Sequence, residues 1–153
     1  MVPNVSYEEV SDADFEELAG IRISSMRESL ERLGRFDAER ARERLRSSFL
    51  PASTQVIVVD GVRVGFYATR EMTDGLWLDH FYILPEWQGR GIGGVVLHSI
   101  LAAADARGLA VRLGALKESA SNRFYQRHGF VLESEGEWDC YYVRLPVRSG
   151  ASK

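Results

Sequence analysis

Residues 88–94 read Gln88-Gly89-Arg90-Gly91-Ile92-Gly93-Gly94, or QGRGIGG. Gly89, Gly91 and Gly94 fit G-x-G-x-x-G, the pattern of dinucleotide-binding loops. In such a loop the glycines follow the first strand directly, and an acidic residue lies about 20 positions on to hold the ribose. Here Pro85-Glu86-Trp87-Gln88 separate strand from glycine, and twenty residues beyond Gly91 stands Val111, inside a strand pattern. The stretch also falls past the middle of the chain, which leaves too little sequence for the rest of a doubly wound sheet. The dinucleotide reading is therefore set aside. The physics of an anion site remains. Glycines leave backbone N–H groups unobstructed at a helix N-terminus, where the macrodipole favours negative charge. Arg90 adds a cation, and the helix that follows has no acid until Asp105.

The chain has 153 residues, 45% hydrophobic and 27% charged, the balance of one soluble domain. Residues 1–147 are expected to form that domain, and the tail 148–153 to be disordered. The net charge of -3 argues against a nucleic-acid binder. From Gln88 to His128, however, six basic residues (Arg90, Arg107, Arg112, Lys117, Arg123, Arg127) face only Asp105 and Glu118. A locally basic stretch in an acidic protein fits a small anionic ligand. No apolar run is long enough to cross a bilayer. The start lacks a secretory pattern, and the single Cys140 cannot form an internal disulfide, so a cytoplasmic location is expected.

Working outward from the loop, the periodicity predicts a strand over 4–10 and a helix N-capped by Ser11, broken once and ending near Gly34. A second helix opens at Asp37. TQVIVVD, Asp60-Gly61 and VRVGFYATRE form a hairpin signature, and a turn at Gly75 leads into LWLDHFYI, stopped by Pro85. After the loop come an apolar helix closed by Gly108, the strand LAVRLGAL, a short helix SNRFYQRH closed by Gly129, and two last strands around Gly136. The order β-α-α-β-β-β-α-β-α-β-β describes an α/β or mixed α+β sheet domain.

Two stretches then carry a resemblance. LDHFYILPEWQGRGIGGVVL resembles the acyl-CoA-binding signature of the GNAT N-acyltransferase superfamily, an apolar strand, a Pro turn, and Q/R-x-x-G-x-G/A opening a helix. SNRFYQRHGF resembles the second signature, a helix with Asn and Tyr ending in Gly-Phe. The order of elements matches from residue 4 to about 145. The resemblance implies a three-layer fold with a central, mostly antiparallel twisted sheet, splayed at the CoA site and flanked by helices. It implies acetyl-CoA as co-substrate. The amides of Gln88, Gly89, Arg90, Gly91, Ile92, Gly93 and Gly94 would hold the pyrophosphate, and the backbone of Phe81, Tyr82 and Ile83 would pair with the pantetheine arm. Asn122 and Arg127 are further cofactor candidates, although Glu118 stands where Asn is commoner. The implied reaction is acetyl transfer to a primary amine by direct attack in a ternary complex.

Such a reaction needs a proton for the departing thiolate and an acceptor for the amine proton. Tyrosine, with an ordinary pKa about 10, is protonated at neutral pH and able to donate. Tyr125 matches the general acid of the family. Asp79 and His80 are the candidates for the base; strand alternation puts them on opposite faces, and the intrinsic pKa favours His80. His80, His98 and His128 have no ligand-like spacing, so no metal is expected. Cys140 reads as packing. Arg22, Met26, Glu28 and Arg40 are candidates to line the acceptor pocket, and Tyr141 or Tyr142 to border it. The acceptor is a small-molecule or protein amine, with neither nucleic acid nor membrane as partner, and self-association through exposed strands is compatible with the pattern. The competing readings are a non-catalytic acyl-CoA-binding module and a nucleotide-dependent oxidoreductase.

Overall fold

The computed structural model describes residues 3–147, so the tail 148–153 lies outside the described residues. The elements run β1 (Val5–Glu9), α1 (Phe15–Arg32), α2 (Ala38–Ser48), β2 (Thr54–Val59), β3 (Val62–Met72), β4 (Gly75–Ile83), α3 (Ile92–Ala106), β5 (Ala110–Leu116), α4 (Ser121–Arg127), β6 (Val131–Glu135) and β7 (Asp139–Arg144). The strands form one seven-stranded sheet in the order β1-β2-β3-β4-β5-β7-β6. The pairs β1–β2, β2–β3, β5–β7 and β6–β7 are antiparallel, while β4 and β5 run parallel from Gly75↔Ala110 to Trp77↔Arg112. This is the mixed α/β architecture and element order expected from the periodicity.

By internal contact the chain divides into two compact units, Met1–Ala68 with His80–Val96, and Thr69–Asp79 with Leu97–Lys153. In the first, α1 buries Phe15, Leu18, Ala19 and Ile21, and α2 buries Leu45, in one cluster with Val56, Val58 and Phe66. The start of α1 is set by a short 3-10 turn, in which the Asp14 carboxylate accepts the Ser11 backbone N–H at 2.9 Å. The expected break does not occur. α1 is continuous because Leu18, Ala19, Ile21 and Arg22 are all buried across the middle of the helix, while Gly20 is exposed. Its end is as expected: Gly34 has φ +68°, and the N–H groups of Gly34 and Arg35 bond the carbonyls of Glu31 and Leu30. Asp37 caps α2, its carboxylate accepting the Arg40 N–H at 3.1 Å.

The β2–β3 hairpin turns at Asp60 (φ +52°) and Gly61 (φ +77°), the conformation a two-residue turn requires. The register shifts between Ile57 and Val58, and Gly65 lies opposite Ile57. Gly65 has no room for a side chain: a Cβ there would lie 2.1 Å from the Tyr82 carbonyl oxygen. The end of β4 is thereby seated against β3, and the Leu84 N–H donates to the Val64 carbonyl at 2.8 Å.

In the second unit, α3 ends in a glycine cap at Gly108, and α4 ends the same way at Gly129 (φ +91°). The apolar contact that accompanies such a cap is here between Phe130 and Tyr125, with ring centroids 5.5 Å apart. β6 is the edge strand and all of its residues are exposed.

Candidate active site

Two groups of side chains organise the first unit around the end of β4. The first is the glycine loop. Pro85–Trp87 form a single 3-10 turn, and Gln88 is extended. Gly89 and Gly91 follow with φ +77° and +83°, a conformation that L side chains rarely adopt. The N–H of Val95 reaches the carbonyl of Gly91 at 3.2 Å. The amides of Ile92, Gly93 and Gly94 lie before it in the first turn of α3 and have no intrahelical acceptor. That turn contains no acidic residue. Such a loop presents amide hydrogens and the positive end of a helix dipole to an anion, and so fits a pyrophosphate.

The side chains of the loop do something the sequence did not reveal. Gln88 Nε2 donates to the Ile83 carbonyl at 2.8 Å, and Ser25 Oγ donates to the same carbonyl at 3.1 Å. Gln88 therefore ties the loop back to β4 rather than reaching outward. Arg90 lies over the Trp87 ring at 4.6 Å, and its Nη2 donates to the Glu86 carbonyl at 2.9 Å. Ile92 is buried and acts as core. The basic stretch is partly neutralised from outside: Arg107 pairs with Glu71, Arg112 with Glu133 and Asp74, and Lys117 with Glu135. Arg90, Arg123 and Arg127 are exposed.

The second group is a buried polar chain. His80 is 8% exposed and lies beside Phe66 and Tyr82. Its Nε2 is 2.8 Å from Ser48 Oγ at the end of α2, and its Nδ1 is 3.0 Å from Tyr82 Oη. Arg22 Nε donates to that same phenol oxygen at 3.0 Å, and Arg22 Nη1 donates to the Ala41 carbonyl at 2.7 Å. Ser48 Oγ in turn reaches the carbonyls of Arg44 and Leu45, at 3.3 and 3.4 Å. One proton arrangement is consistent with these distances. Arg22 donates to Tyr82, Tyr82 donates to His80 Nδ1, His80 Nε2–H donates to Ser48, and Ser48 donates to a helix carbonyl. In that arrangement the His80 proton sits on Nε2 and its lone pair on Nδ1.

Asp79, on the opposite face of β4, is held by Arg70 in a bidentate pair at 2.8 and 3.0 Å. The two base candidates are thus separated as alternation predicts. One is ion-paired, and the other has both nitrogens in a hydrogen-bonded chain. Phe81 and Ile83 alternate with Tyr82 along the half-buried end of β4.

Tyr125 and Asn122 belong to the other unit. Tyr125 lies on α4, 8% exposed, between the rings of Phe124 and Phe130. Asn122 Nδ2 donates to the carbonyls of Leu116 and Ser119 at 2.8 and 3.0 Å, and its Oδ1 accepts the Tyr142 hydroxyl at 2.7 Å. It joins β5, α4 and β7. Burial, with Cys140 and Glu135 nearby, pushes the Tyr142 phenol up. Burial first, and Glu135 next, push the Cys140 thiol up as well, which makes it a poor nucleophile. Among the described residues no three His, Cys, Asp or Glu side chains are placed to hold a metal ion, and no helix is long and apolar enough to cross a membrane.

With this geometry in hand, the GNAT acetyltransferase domain profile matches residues 52–132, just over half of the chain. The chain belongs to the GNAT acetyltransferase family. Membership makes it an acyl-CoA-dependent acyltransferase. The matched span runs from the hairpin through the glycine loop to α4 and so contains His80, Gln88–Gly94 and Tyr125, while α1 and α2, with Arg22 and Ser48, lie outside it.

Solved structures agree on the fold. The PaiA N-acetyltransferase of Thermoplasma acidophilum, in complex with coenzyme A, has a TM-score of 0.75 at 17% identity, covering 93% of this chain and 99% of its own. An acetyltransferase from Thermus thermophilus has a TM-score of 0.74 at 19% identity, with 94% and 98% coverage. The ribosomal-protein-S18-alanine N-acetyltransferase of Escherichia coli has 0.71 at 14% identity, with 98% and 99% coverage. No curated protein matches the chain.

The sequence missed Ser25, Ser48 and the side-chain role of Tyr82. Only the last left a signal, since His80 and Tyr82 are two apart on one strand and share a face.

Proposed function

We propose that the protein is an N-acetyltransferase that moves the acetyl group of acetyl-CoA to a primary amine by direct attack in a ternary complex. The observation that carries this reading is the open-amide loop at the start of α3, tied by Gln88 to the end of β4. The amides of Gln88–Gly94 take the pyrophosphate, and the backbone of Phe81–Ile83 takes the pantetheine arm. The amine nitrogen bonds to the carbonyl carbon, and the C–S bond breaks. Tyr125 donates its phenol proton to the leaving thiolate. The amine proton passes to the Tyr82 oxygen as the Tyr82 proton moves to His80 Nδ1. Both carboxylate oxygens of Asp79 are occupied by Arg70, which supports His80 in the base role.

The test is thiol release from acetyl-CoA over a broad amine panel, with Tyr125→Phe beside the wild type. Loss of the phenol is expected to lower kcat by about 10²–10⁴-fold with little change in acetyl-CoA KM. Full activity of Tyr125→Phe refutes its role. Thermal stabilisation by NAD but not by CoA would sink the acyltransferase reading.

A further inference from the structure

Arg22 is 6% exposed, the sole arginine in the buried class among the described residues. Its hydrogen bonds go to neutral oxygens, the phenol of Tyr82 and the carbonyl of Ala41. Among the described residues no carboxylate lies within 4.0 Å of it. Less buried arginines do have one: Arg63 pairs with Glu8, Asp14 and Glu17, Arg70 with Asp79, and Arg144 with Asp105. Desolvating a guanidinium is costly, and neutral oxygens offset only part of that cost. A glutamine would serve a purely structural link without burying a charge.

The remaining edge of the guanidinium is the informative part. Among the described residues Nη2 has no hydrogen-bond partner, and no fully buried side-chain nitrogen or oxygen lacks one. Nη2 is therefore not fully buried, a charged donor at the edge of a side chain otherwise enclosed. It adjoins Tyr82, whose oxygen touches His80 Nδ1, and Ser25, one turn along the same helix, bonds the Ile83 carbonyl.

We propose that Arg22 binds the carboxylate of the acceptor, so that the substrate class is a small amine that also carries a carboxylate, as an amino acid does. The proposal rests on the acyltransferase reading and adds the acceptor to it. The carboxylate accepts from Nη2 and supplies the counter-charge the fold omits. The amine, a few bonds away on the same molecule, then meets the Tyr82–His80 pair. Arg22 is in this role a specificity-determining residue, since it distinguishes carboxylates from amides of the same shape.

The experiment compares matched acceptors, each free amino acid with its primary amide and its decarboxylated amine, in a thiol-release assay with acetyl-CoA. The expected result is a kcat/KM preference of about 10- to 100-fold for the carboxylate member of the preferred set, through KM more than kcat. Arg22→Gln is expected to abolish that preference while leaving acetyl-CoA KM unchanged, and Arg22→Lys to retain part of it. If Arg22→Gln does not fold, the wild-type comparison still decides. Equal rates with the carboxylate and its amide, in a protein that acetyl-CoA stabilises and that releases thiol, overturn this inference alone. A protein that acetyl-CoA does not stabilise, and that releases no thiol with any amine, overturns the acyltransferase reading and this inference with it.

Discussion

Replacing Ser48 by alanine tests the base without touching it. Ser48 is exposed at the last position of α2, and its hydroxyl is 2.8 Å from His80 Nε2. Alanine has the best helix propensity, so the fold is expected to lose little, with Tm within about 2 °C of wild type. A hydrogen bond to a neutral partner contributes about 0.5–1.5 kcal/mol, which corresponds to about a two- to tenfold change in the ratio of the two imidazole tautomers. The Nε2–H form leaves Nδ1 free to accept from Tyr82, so kcat/KM is expected to fall by no more than that factor. His80→Gln removes the acceptor altogether and is expected to cost about 10²–10⁴-fold. Arg22 and Tyr82 are the charged and titratable groups against the ring, and both are intact in Ser48→Ala. The assays are thiol release against pH and the 15N shifts of the two ring nitrogens. The reasoning is refuted if Ser48→Ala leaves the 15N shifts of His80 unmoved, or if His80→Gln retains wild-type rates across the pH range.

Three further outcomes follow from particular contacts. Gly65→Ala places a Cβ 2.1 Å from the Tyr82 carbonyl oxygen, so backbone must move, and a loss of at least about 1–3 kcal/mol is expected on denaturant unfolding, with weaker binding of acetyl-CoA in calorimetry. Gly129→Ala meets only ordinary contacts, the nearest 3.9 Å away, but φ is +91°; about 1–2 kcal/mol of strain is expected, and kcat is expected to fall more than acetyl-CoA affinity because the cap positions Tyr125 through Phe130. The Asp105 carboxyl is held below its ordinary range first by the Arg144 guanidinium and also by the Val147 N–H. Its stabilising effect is therefore present above the unfolded value of about 3.9 and lost as pH falls through the lower folded value. Asp105→Asn is expected to lower Tm at neutral pH and to flatten its decline between about pH 5 and 2, and an unchanged acid limb would exclude the pair as its source.

The elements were legible in the sequence because their signals are local. Asp60-Gly61, Gly34, Gly108 and Gly129 each solve a backbone problem within four residues of themselves, and the structure ends or turns the chain at all of them. The glycine loop was legible for the same reason, since free amides at a helix start depend on residues in immediate succession. The break expected in α1, at no particular residue, does not occur: the helix runs unbroken from Phe15 to Arg32, with Leu18 and Ile21 packed against Val56, Val58 and Phe66 far along the chain. The polar chain through His80 also joins distant residues. Ser48, His80 and Arg22 lie on three different elements, and no spacing in the sequence relates them. Arg22 shows most sharply what separates the two levels. In the sequence it is one of many arginines in charged helices, each ordinarily solvated. Only the enclosure of its guanidinium, without a carboxylate, turns a common residue into one that asks for a ligand.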